Sequence, residues 1–175
     1  MYWECLLEEL PVLYNDPTIM RFHELTDIPD GQGDDHLLFW PIGQQMLAEL
    51  VRKLLNRRIE DPENPTYENV KTALKGLNQL EWRLHQVPWK YFLLVGTLIE
   101  GTNQLKWTMR NEEREWAVRT GRRMQLWLLG LEEDDEKYVE NLKSLWKSFL
   151  RPSQPDENVE KMWEQILQMK KGLSG

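Results

Sequence analysis

Stretch after stretch of this chain carries apolar residues three or four positions apart, the spacing that gathers them on one side of an α-helix. The clearest run is Ile42, Met46, Leu50 and Leu54, flanked by Leu47, Val51 and Leu55. A chain patterned this way must bury one stripe against another, so helix packed on helix is the expected architecture. Start and stop signals bracket the runs. Asp16-Pro17 predicts a second short helix to about Leu25, after a first one holding Trp3, Leu6, Leu7 and Leu10. The long helix after Pro41 ends on Arg57 and Arg58, as suits the negative pole of a helix, and Asp61-Pro62-Glu63-Asn64-Pro65 breaks the chain.

Further helices are predicted from Asn64-Pro65 through Val70, Leu74 and Leu77, and from Pro88 to about Glu100. Asn111, followed by Glu112, Glu113 and Glu115, reads as the cap and acidic first turn of a helix that closes at Gly130. Asp134 to about Leu150 and Asp156 to Lys171, closed by Gly172, complete the set. No strand alternation longer than four residues, no repeat of fixed period and no low-complexity segment is read. The expected fold class is therefore all-α, an irregular bundle of six to eight helices in a single domain. It divides into an irregular N-terminal segment over 1–35 with short helices and an acidic loop, a helical core over 36–131, and two C-terminal helices over 132–175.

At 175 residues one core suffices, since a chain of this size buries about 70% of its extended surface on folding. Nine tryptophans are the natural anchors of that core, and Trp82, Trp89, Trp116, Trp127 and Trp146 are expected to be buried, each indole N–H requiring an acceptor. The single cysteine, Cys5, forms no intramolecular disulfide and supplies at most one metal ligand, which points to a reducing cytoplasm. The start Met1-Tyr2-Trp3-Glu4 lacks the basic and apolar regions of a secretory signal. The longest apolar stretch, Tyr91 to Ile99, falls well short of the roughly 20 residues that span a bilayer, so it reads as a buried helix and no membrane partner is expected.

Catalytic signatures fail one by one. His23-Glu24 has no second histidine at zinc-protease spacing, and His36 and His85 lie far along the chain. The acidic loop of Asp27, Asp30, Asp34, Asp35 and His36, aligned on Gly31, places Thr26, Ile28 and Leu37 where a calcium loop needs oxygen donors. Gly31 and Gly33 precede no Lys-Ser/Thr pair, and Ser144, Ser148, Ser153 and Ser174 sit in no nucleophile-elbow context. No catalytic residue, no metal site and no cofactor is expected, and a non-enzymatic module ranks ahead of an enzyme.

The segment from Lys106 to Arg123 is the one candidate interface. At 100° per residue, Trp116, Thr120, Met124 and Trp127 form one stripe; Arg119, Arg122 and Arg123 project from the opposite side, with Arg114 at its margin. Those four arginines are the expected nucleic-acid contacts, with DNA as the partner. Glu112 and Glu115 neutralise part of this face, and the net charge of −7 opposes general attraction to nucleic acid.

The stretch His36-Leu37-Leu38-Phe39-Trp40-Pro41-Ile42-Gly43-Gln44-Gln45-Met46-Leu47, then Leu80-Glu81-Trp82 and Pro88-Trp89, then the arginine-bearing helix ending Leu128-Leu129-Gly130-Leu131, resembles the helical C-terminal part of DGQHR-domain, DndB-like proteins. The similarity spans roughly residues 36 to 131. The namesake motif itself is absent: Asp30-Gly31-Gln32 continues with Gly33-Asp34. The resemblance implies that this chain is the C-terminal portion of a longer protein. It also implies a role beside bacterial DNA phosphorothioate modification and phage defence, with DNA contact carried chiefly by the part preceding it. A helical protein–protein interaction or oligomerisation domain unrelated to DNA is the alternative.

Overall fold

The computed structural model describes residues 1–14, 25–26, 36–90, 92–102, 105–150 and 156–173, and every structural statement below concerns these. Six α-helices carry most of them: α1 Tyr2–Glu9, α2 Pro41–Arg58, α3 Tyr67–Leu74, α4 Arg114–Leu128, α5 Glu136–Ser148 and α6 Asp156–Leu173. The acidic stretch over 27–35 and the helix predicted from Asp16-Pro17 lie outside the described residues, apart from Leu25, which belongs to a strand.

Local chemistry explains the helix ends. Thr66 caps α3 through a reciprocal capping box with Asn69, and Asp135 caps α5 by accepting from the Tyr138 N–H. At the end of α4, Gly130 takes φ +70° while its N–H and that of Leu131 reach back to the carbonyls of Trp127 and Leu126. This double closure is the Schellman arrangement, and it needs the left-handed residue that the sequence places there. The start of α4 departs from expectation. Asn111 is not the cap; Glu113, at φ 58°, occupies that position without a side-chain bond.

α2 is the central strut, packing on both α3 and α4, while α4 also receives α5 and α6 and α1 lies on α3. Ile42, Met46, Leu47, Leu50 and Leu54 are buried along α2, and the buried side chains from Cys5 to Ile166 form one continuous cluster. Glycines set the closest approaches. A Cβ on Gly43 would lie 2.0 Å from the Leu37 carbonyl oxygen, and one on Gly121 would meet the Met46 methyl at 2.4 Å. At Gly43 the neighbour is backbone and cannot give way, whereas at Gly121 it is the flexible end of a side chain.

Four of the five tryptophans expected inside are there. Trp82 donates its indole N–H to the Leu77 carbonyl at 2.8 Å, Trp127 to Asp134 at 2.6 Å and Trp146 to the Pro88 carbonyl at 3.3 Å, while Trp89 reaches the Glu81 carbonyl. Trp163 of α6 stacks on Trp127 with centroids 5.9 Å apart and packs at a tilt of 38° against Trp146 at 5.6 Å, tying the last three helices together. Trp116 is the exception. It is 44% exposed, because the buried residues of α4 begin only at Ala117 and the first turn projects past its neighbours.

The chain is mostly helical, but the pure all-α expectation needs correction. The segment expected to continue as a helix to Glu100 turns into strand β2, Leu94–Leu98, which pairs antiparallel with β3, Leu105–Met109. The two-residue strand β1, Leu25–Thr26, adds to the other side of β3, giving the order β1-β3-β2. Leu105-Lys106-Trp107-Thr108-Met109 alternates over five residues, and Val95-Gly96-Thr97 is poor helix material, so the hairpin wins. Gly101 serves the turn that follows β2, at φ +77°.

Candidate nucleic-acid interface

The four arginines share α4 but not a common surface. Arg122, just over two turns beyond the helix start, is drawn against α2 and forms an ion pair with Glu49; the two side chains are 20% and 29% exposed. Arg123 turns the other way and lies over the Tyr138 ring of α5, its guanidinium carbon 5.2 Å from the centroid. Tyr138 is half-buried there, and burial pushes its phenol above the ordinary value. Each of these arginines therefore joins α4 to a neighbouring helix. The single solvent-facing side that the helical wheel assigns to them is divided, since Arg122 and Arg123 both end on protein.

Arg114 and Arg119 remain exposed. Together with Glu113, Glu115 and Trp116 they line an open cleft of about 600 Å³ over the first turns of α4. The lining combines two guanidiniums, two carboxylates and one large aromatic face. Such a surface offers stacking and bidentate hydrogen bonding with no excess of either charge. Trp116, assigned by periodicity to the core, is thus the residue that sequence reasoning missed. The signal available was its place in the first turn, ahead of any residue the neighbouring helices could cover.

The other titratable clusters are spent on the fold. Arg83 holds Glu81 through Nε and Nη2 at 2.8 and 2.6 Å, beside a groove of about 550 Å³ that runs to Met169 and Leu173. Glu8 of α1 accepts from Tyr67 at 2.5 Å and pairs with Lys71 at 2.7 Å, so Lys71 first and Tyr67 second lower its pKa, and Glu8 in turn raises both of theirs. Glu160 of α6 bridges Lys143 and Lys147 of α5 at 2.5 and 2.6 Å, which lowers its pKa to about 2. Cys5 is fully buried, its thiol directed to the Tyr67 carbonyl at 3.8 Å. His36 accepts from the Leu38 N–H at 3.4 Å and closes the short turn before α2.

Among the described residues no group of three or more His, Cys, Asp or Glu is placed to hold a metal ion, and no helix is long and apolar enough to cross a membrane. No family model matches the sequence, and neither a curated protein nor a solved structure matches it.

Proposed function

We propose that this chain is a non-catalytic binding module that works through the first turns of α4, with a folded protein as its partner. The observation that carries the reading is the make-up of the cleft. Trp116 stands exposed between Arg114 and Arg119, and Glu113 and Glu115 cancel their charge. Tryptophan and arginine are the residue types that concentrate binding energy at protein interfaces, and a polar rim around an aromatic centre is the usual anatomy there. A polyanion would meet the net charge of −7 and two carboxylates beside the only exposed arginines of this helix.

A second reading keeps the likeness to DGQHR-domain, DndB-like proteins and has one structural observation in its favour. Arg114, Trp116 and Arg119 lie together and exposed, a combination that contacts phosphates and stacks a base on a single DNA strand. In that reading the module accompanies DNA modification and works in the bacterial cytoplasm.

Fluorescence anisotropy with a labelled DNA oligonucleotide at about 50 mM salt separates the two, because each phosphate neutralised contributes about −0.7 to −0.9 to the log–log salt slope. The protein-partner reading predicts no saturable binding. Binding with a slope of about −1.4 to −1.8 that disappears in an Arg114→Gln/Arg119→Gln variant would replace it with the DNA reading.

A further inference from the structure

Strand β2 pairs with β3 along one edge, and among the described residues no strand pairs with its other edge. The Arg110 N–H donates to the Leu93 carbonyl at 2.7 Å, which makes positions 93 and 110 a hydrogen-bonded pair in the register of this ladder. Alternation along an antiparallel pair then directs the peptide groups of Val95 and Thr97 toward β3, and those of Leu94, Gly96 and Leu98 outward. Natural edges are blunted by lysine, proline or a bulge; Leu94-Val95-Gly96-Thr97-Leu98 carries no charge and no proline.

The side chains add a second, independent feature. Gly96 stands opposite Trp107, and a Cβ on Gly96 would lie 3.1 Å from the indole ring, so the ring spreads across the glycine. Leu98, on the same face of the strand, is 62% exposed, while Leu94 at the other end is buried. The usable edge is therefore the half from Gly96 to Leu98.

We propose that this edge is a self-association site, at which β2 of a second copy pairs antiparallel with Thr97 on the two-fold axis. In that register Gly96 of each copy faces Leu98 of the other. These are the residues whose peptide groups point outward, so each of the two pairs exchanges both of its hydrogen bonds. Leu98 of one copy comes to lie on the gap above Gly96, against the Trp107 indole, and loses its exposure to water. Thr97 meets Thr97, a cross-strand pairing that antiparallel sheets favour. The match of an apolar side chain to a side-chain-free position one step away on the same strand selects a second copy over an unrelated peptide. The contact is small, so the dimer is of the weak, concentration-dependent class.

Cross-linking tests the register. Thr97→Cys places two thiols at a non-hydrogen-bonded pair, where Cα atoms lie about 4.5 Å apart and a disulfide can close. Lys106→Cys, on the neighbouring strand, would leave them about 14 Å apart. Under mild oxidation of the full chain at about 1 mM, Thr97→Cys is expected to give a disulfide-linked dimer at least tenfold faster than Lys106→Cys; native Cys5 is buried and gives no background. Thr97→Lys, which sets like charges face to face, is expected to weaken the wild-type dimer seen by sedimentation at least tenfold, with unchanged circular dichroism. Equal cross-linking rates, a wild-type chain that stays monomeric at that concentration, or a dimer indifferent to Thr97→Lys would overturn the proposal. If Thr97→Lys failed to fold, the two cysteine variants would still decide it.

Discussion

Arg122 and Glu49 illustrate what a side chain's neighbours do to its role. Both are mostly covered, so removing one strands the other in a poorly hydrated place, whereas exposed Arg119 has water to fall back on. Arg122→Gln should therefore cost about 1–2 kcal/mol in urea denaturation, against under about 0.5 kcal/mol for Arg119→Gln. Equal losses would mean that the ion pair contributes nothing. Gln125 behaves in the opposite sense: it is fully buried on α4, and among the described residues neither end of its amide has a hydrogen-bond partner. An uncompensated amide costs about 1–3 kcal/mol, so Gln125→Met, of similar volume, should raise stability by about 1 kcal/mol. A loss on that substitution would show that the amide is satisfied. Helical spacing placed the arginines on α4 but not their destinations, because Glu49 lies 73 residues from Arg122 and no local pattern links them.

Helices declare themselves in this sequence where a start signal and a stripe agree, as Pro41 at the first position of α2 and the cap Asp135 of α5 do. The hairpin did not, because Phe92 to Leu98 is continuously apolar but for Gly96 and Thr97, and such a run looks alike as a buried helix and as a strand. Its identity is decided by β3, whose alternation is short and whose pairing is tertiary. Between helices, the two tight glycines should respond unequally. Gly43→Ala drives a methyl into the Leu37 carbonyl, a backbone group that cannot move aside, and should cost about 3 kcal/mol or more. Gly121→Ala meets the flexible tip of Met46 and regains helix propensity, so about 1 kcal/mol is expected. Similar melting temperatures for the two variants would refute that distinction. The α5–α6 link has a pH signature. With its pKa lowered to about 2 by Lys143 and Lys147, Glu160 lends stability that is present above the ordinary carboxylate value of 4.5 and fades as pH falls toward 2. Titration followed by carboxyl carbon NMR should find Glu160 titrating near 2; a midpoint near 4.5 would mean the bridge is not held in solution.

For the molecule as a whole, one core and a negative net charge were both foreseeable from composition, and five of the nine tryptophans, Trp82, Trp89, Trp127, Trp146 and Trp163, anchor that core. What composition concealed is that one aromatic of the predicted interior lies outside, in a cleft where charges balance. That placement follows from how far α5 and α6 reach along α4, a property of the assembled bundle rather than of any segment. Binding at this cleft is most directly measured by site-specific photo-cross-linking, with a benzophenone amino acid at position 119 of the full chain in its native host. A discrete protein adduct, resistant to nuclease, is expected, with a yield that falls at least tenfold with Trp116→Ala while circular dichroism stays unchanged. Adducts that nuclease removes, or a yield indifferent to Trp116, would contradict it.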